Sequence, residues 1–292
     1  MAALASGGVL RAQASFPPET DNAALRSWFA LAEVREQDDA TRHLLQETAT
    51  GRVPWDEAKL GPFLDSNLDA VRTMQRATKL PACDWGFDYQ HGSWTPNWFV
   101  MQARLLSDLN QLQGKREMAH GDSRAAVNAW LAGVHFAQDV SRGNPIIVAY
   151  VAHWMILDNL RALRDSARQG ELSEEEKEEL SQVVKTMPED GFDWGAVWGV
   201  EFAIDEQHLR GLWKARKPAR EIRAYEEYML AAQAALRQPP MEAKPQVDNL
   251  ETRIAQLGKP ERNRWLSVRQ SNDMRLRLAT MHEELAQALT SK

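Results

Sequence analysis

Between Trp98 and Leu112 apolar residues recur every three or four positions: Trp98, Met101, Leu105, Leu109 and Leu112. That spacing places them on one stripe of an α-helix. Nearly everything after Pro18 carries the same period, and no stretch sustains a strand's alternation over more than a few residues. Such a chain has only helix stripes to bury against one another, so its fold class is all-α.

Helix punctuation predicts about ten antiparallel helices. The first runs from about Asn22 to Thr48 and the second from Pro54 to Lys79, where Pro54-Trp55-Asp56-Glu57 gives a proline-first, acid-early start. Asp122 is a good N-cap for a helix carrying Val127, Trp130, Leu131 and Val134. The next helix starts at Asn144-Pro145 and reads as fully buried. Ser173 and Glu176 form a capping box. An aromatic turn, Gly191-Phe-Asp-Trp-Gly195, precedes a helix to about Arg216, and Pro218 begins another that ends near Arg237. Pro239, Pro240 and Pro245 mark the expected linker. Beyond them Val247, Leu250, Ile254 and Leu257 take heptad a/d spacing, which Met274, Leu278, Met281, Leu285 and Ala288 repeat. The expected organisation is a disordered or signal-peptide remnant at 1–18, a helical array at 19–238 and a C-terminal hairpin at 246–292 packed on the body.

Within the array one helix pair has the spacing of a tetratricopeptide unit. Gly114 and Ala126 are small where two helices must approach closely, Trp130 is a large aromatic, and Gly133 is small again. Asn110 and Glu117 replace the unit's other aromatics, and no clear second copy follows 34 residues on. Two architectures are therefore expected: a degenerate tetratricopeptide-like array, or an irregular helical bundle containing one such hairpin.

Composition removes several function classes. A net charge of −6 and a pI near 5.7 lack the basic surface that nucleic acid requires. The single cysteine excludes an internal disulfide and a cysteine-based zinc site. The longest apolar run, Gly143 to Leu157, falls short of the roughly 20 residues of a membrane span. Ala12-Gln13-Ala14 has the form of a signal-peptidase site, but Arg11 interrupts the apolar run before it, so export and a cytoplasmic location stay equally open.

Four features in order, an Asn-Ala-Ala-Leu helix, "LPACDWG", "HGDSRAAVNAW" and "NPIIVAYVAHW", give the region of about 20–215 a resemblance. It resembles a group of uncharacterised bacterial all-helical proteins, many with an export signal. The resemblance implies an envelope location and supplies no catalytic residues.

Phosphate-binding loops, GxSxG and HExxH are absent from the sequence. The best catalytic candidates are Glu201, Asp205 and His208, which follow one another at about one helical turn beside an apolar arc. Asp205 with His208 has the spacing of half a metal-carboxylate site, for which His135, Asp139 and His153 are the candidate partners. The ordinary alternative is a structural acid bonded to an arginine such as Arg161 or Arg210. Cys83 lies next to Asp84, which raises a thiol's pKa, so a buried structural cysteine is expected. Trp85, Trp94, Trp98, Trp198 and Trp213, among eleven tryptophans, are the candidate binding aromatics. The functional expectation is a non-enzymatic protein that binds a protein or peptide partner along a helical face, without a cofactor. An enzyme around Asp205 is the alternative.

Overall fold

The computed structural model describes residues 20–35, 38–89, 98–213, 219–256 and 267–291, with only the backbone of 207–213 and 219–222. The fold is all-α. Twelve helices occur among the described residues: α1 (Ala23–Glu33), α2 (Asp39–Ala49), α3 (Glu57–Asp65), α4 (Leu68–Ala77), α5 (Phe99–Ala119), α6 (Ser123–Ser141), α7 (Ile146–Arg168), α8 (Glu174–Thr186), α9 (Trp194–Trp213), α10 (Ala219–Ala235), α11 (Pro240–Ala255) and α12 (Val268–Thr290). The only extended pairing among them is an isolated parallel bridge between Asn22 and Ala82.

Two of the predicted helices are each divided. Val34 takes an extended conformation that ends α1, and Asp38 caps α2 by accepting the Thr41 N–H at 2.9 Å. Asn67 interrupts the second, accepting the Arg35 N–H at 2.9 Å and donating to the Phe63 carbonyl at 3.0 Å. Short polar side chains that bond to nearby backbone compete with helix continuation, and here they win.

The centre of the fold is the α5–α6–α7 layer. A Cβ added to Gly114 would lie 2.3 Å from Trp130 Nε1, so the α6 indole sits directly on the α5 backbone. Gly133 of α6 meets Asn159 of α7 in the same way. Gly121, at φ +84°, makes the tight reversal between α5 and α6, and Asp122 accepts the Ala125 N–H at 2.9 Å. The capping box forms as well: Glu176 accepts the Ser173 N–H at 2.8 Å, and the Ser173 hydroxyl accepts the Glu176 N–H at 3.2 Å.

On one side of this layer α1 packs on α4 and α2 packs on α5; on the other, α12 lies along α7 and α8, with α11 behind it. The prolines expected to form a linker instead start α11. Pro239 is its N-cap, Pro240 its first residue, and Pro245 is accommodated within it. An N-terminal proline lacks only an N–H that no intrahelical carbonyl would accept. Arg275 of α12 is fully buried and gathers three elements: Nε donates to Asp190 at 2.8 Å, Nη1 to Asn272 at 3.2 Å, and Nη2 to the Gln238 carbonyl.

By length and composition α7 could cross a membrane, and two-thirds of its most apolar window is buried inside the protein. It is not fully buried, contrary to the sequence expectation. Ile147 is 56% exposed and Trp154 40%, because the helices around α7 leave one of its stripes uncovered.

Candidate functional site

The stripe left open at Ile147 and Trp154 continues through Val151, Asp158 and Arg161, of which Asp158 is buried. Alternating spacings of four and three residues keep all five within a narrow arc of α7. A matching stripe on α5 holds Met101, Arg104, Asp108, Gln111 and Lys115. Met101 and Arg104 of the α5 stripe and Val151, Trp154, Asp158 and Arg161 of the α7 stripe line a channel of about 600 Å³, whose third wall is Thr50 and Arg52 from the α2–α3 connection. Met101 is 65% exposed within it. The channel is apolar where Met101 faces Val151 and Trp154, and ionic beyond.

The ionic end is built around Asp158. One of its oxygens accepts Arg104 Nη2 at 2.7 Å and the other accepts Arg161 Nη1 at 2.9 Å. Arg104 also meets Asp108 at 3.0 Å through Nε. Asp108 is 2% exposed, and its second oxygen has no partner. Burial pushes its carboxyl up to about 7, against the pull of Arg104 and with a further push from Asp158. The amide of Gln111, one turn on, is buried with neither atom bonded. Burial also lowers the Lys115 ammonium, which Asp165, Glu171 and Asp158 partly oppose. Arg277 of α12 stands 6.0 Å above the Trp154 ring. Arg52 is exposed and has no ion pair among the described residues.

The sequence candidates lie elsewhere. Glu201 accepts the Ile146 N–H at 3.0 Å and so caps α7 from a neighbouring helix, while burial raises its carboxyl pKa. Asp205 accepts the buried Tyr225 hydroxyl. Arg161, named as a possible partner of that acid, bonds Asp158 on its own helix instead. The side chains of His208, Arg210 and Trp213 lie outside the described residues, as do Trp94 and residues 1–18.

The metal candidates are separated in role. His135 is exposed and bonds Gln138. Asp139 is buried, its carboxyl pushed up to about 6 by that burial. His153 is wholly buried, neither ring nitrogen has a partner, and burial pulls its pKa down to about 4. Among the described residues no three His, Cys, Asp or Glu side chains converge as metal ligands. Of the binding tryptophans, Trp98 is 60% exposed, whereas Trp85 and Trp198 are core residues without an open face. The indole of Trp198 donates to the Ser271 hydroxyl at 3.0 Å and that of Trp85 to the Asp139 carbonyl at 2.8 Å.

The CDWG segment is a clasp. Asn22 and Asp84 exchange two hydrogen bonds at 2.9 Å, Asp84 accepts the Gly86 N–H, and Gly86 turns at φ +69°. Trp85 meets Trp28 edge-on at 5.4 Å and Phe99 at 5.0 Å. Cys83 directs its thiol at the Asp139 carbonyl, 3.5 Å away, and burial raises its pKa well above the ordinary thiol range. The second DWG copy uses its glycine differently. Gly195 is helical, and a Cβ there would lie 2.4 Å from the Arg237 stem, so it serves helix approach rather than a turn.

Sequence reading missed Arg52, Arg104, Asp108, Trp154 and Asp158. The available signal was the heptad spacing along α7, which mixes apolar and charged residues where a fully buried helix would not. No protein-family model, curated protein or solved structure matches the chain.

Proposed function

We propose that this is a non-enzymatic helical interaction protein that holds a segment of a protein or peptide partner in the channel between α5 and α7. The observation that supports this most directly is that Met101 and Trp154 stand exposed beside Arg52, Arg104 and Arg161 in an open channel. Large apolar side chains left in water next to arginines have the composition of a recognition surface. Among the described residues lining the channel there is no nucleophile–base pair at hydrogen-bond distance, which favours binding over chemistry.

Panning a displayed random-peptide library on the wild type, Trp154→Ala and Met101→Ala tests the reading. Both substituted side chains are surface-accessible, so unchanged circular dichroism is expected. Peptides enriched on the wild type and lost from both variants support it; no enrichment, or enrichment indifferent to both substitutions, refutes it.

A second reading, an enzyme around Glu201 and Asp205, draws on the hydrogen bond from Tyr225 to Asp205 one turn from Glu201. Each carboxylate already holds a donor from another helix, which favours a structural role for both.

A further inference from the structure

We infer that the segment bound in the α5–α7 channel is acidic and extended, with an apolar side chain two or four residues from its carboxylates. This rests on the peptide-binding reading above and adds the chemistry of the partner.

The channel has a built-in polarity. Ion pairing at Arg104–Asp158 and the shared wall of Met101, Val151 and Trp154 show that α5 and α7 advance in the same direction. Both stripes are apolar at their N-terminal ends and ionic beyond. From Trp154 to Arg161 is seven residues, about 10 Å along a helix. An extended chain covers that distance in about three residues. Because side chains alternate along an extended chain, a side chain packed on Trp154 and Met101 places those two or four residues away beside Arg161 and Arg52.

Charge balance selects the sign of those groups. Three cations line the ionic end, Arg52, Arg104 and Arg161, against Asp158 in the wall and Asp108 behind Arg104. Lys115 lies further along α5, where Asp165, Glu171 and Asp158 offset its charge, so it adds nothing to this balance. Arg104 already holds two carboxylates and is only 18% exposed, so its charge is largely spoken for. Arg161 uses one nitrogen on Asp158 and remains about one-third exposed, and Arg52 has no ion pair among the described residues. These two are the cations with capacity left, and a guanidinium offers a second carboxylate a bidentate seat. A second copy of this chain, at net charge −6, would bring a carboxylate-rich surface too, but no described feature of the fold projects an extended acidic strand.

The experiment sequences the peptides that the wild type enriches and measures one synthetic copy by fluorescence anisotropy. Its glutamates are replaced by glutamine, and both peptides are titrated into wild type and Arg161→Gln. The expected result is an Asp/Glu consensus two or four residues from an apolar position. Glutamine should weaken binding to the wild type at least about tenfold and affect Arg161→Gln much less. Neutral or basic enriched peptides, or an unchanged affinity with glutamine, overturn this inference and leave peptide binding standing. No enriched peptide, with Trp154-dependent binding to phosphatidylglycerol vesicles or Trp154-dependent self-association, overturns both.

Discussion

Replacing Gly114 with alanine tests the contact on which the α5–α6 layer depends. The new methyl carbon would lie 2.3 Å from Trp130 Nε1, 2.6 Å from Cε2 and 2.8 Å from Cδ1, well inside van der Waals contact. Relief requires the indole or a helix to move by about 1 Å in an interior packed like an organic crystal. Trp130 is 2% exposed and has no solvent side to move toward. Overpacking of this severity belongs at the upper end of its range, about 3 kcal/mol. Alanine recovers about 1 kcal/mol because it favours the helix over glycine. A net loss of about 2 kcal/mol is therefore expected, read by urea denaturation followed by far-ultraviolet circular dichroism. The decisive comparison repeats the substitution in a Trp130→Leu background. Without the indole the steric cost vanishes, so Gly114→Ala should stabilise that background by about 1 kcal/mol. An equal loss in both backgrounds would refute the argument that Trp130 is what requires the glycine.

Two further predictions concern buried titratable groups. Burial raises the folded pKa of Asp108 from its ordinary value near 3.8 to about 7, so its protonated form is favoured by folding. Its contribution is then present below about 3.8 and lost as pH rises through 7, up to about 4 kcal/mol. Relative to wild type, Asp108→Asn should gain stability between pH 4 and pH 8 in denaturant titrations; a pH-independent difference would contradict this. Cys83 should react with a thiol-disulfide reagent far more slowly in the native protein than in urea. Fast native labelling would show that its thiol is not held against the Asp139 carbonyl.

Local signals in the sequence carried much of the fold. Asp122 and the Ser173–Glu176 box cap helices because their bonds close within three residues, and such bonds depend on nothing further away. Gly114 was also legible as a small residue at a close helix approach, though the sequence matched it with Ala126 and did not show that Trp130 is what fills the space. The divisions at Asp38 and Asn67 were harder to see. Apolar spacing runs on through both breaks, and Asn67 acts through a bond to Arg35, 32 positions away. The prolines of α11 misled for a related reason: a proline reads as a break, yet at the first position of a helix it breaks nothing.

The candidate site was illegible for a different reason, which the tryptophans make plain. Trp154, Trp194 and Trp198 all sit in apolar helical stretches, and nothing local separates them. Trp194 and Trp198 are fully buried, while Trp154 is 40% exposed. The difference comes from what packs over each. Ser271, on the distant α12, receives the Trp198 indole N–H. The stripe of α7 that carries Trp154 faces α5 across the channel, with only the 50–52 connection on the third side. Burial of a residue is a property of the elements around it, and its own helical phase reveals only which residues share its fate. Phase alone placed Ile147, Val151, Trp154, Asp158 and Arg161 together. Its two charged members are costly to bury without partners, and Asp158, at 7% exposed, is tolerated there only because Arg104 and Arg161 both hold it.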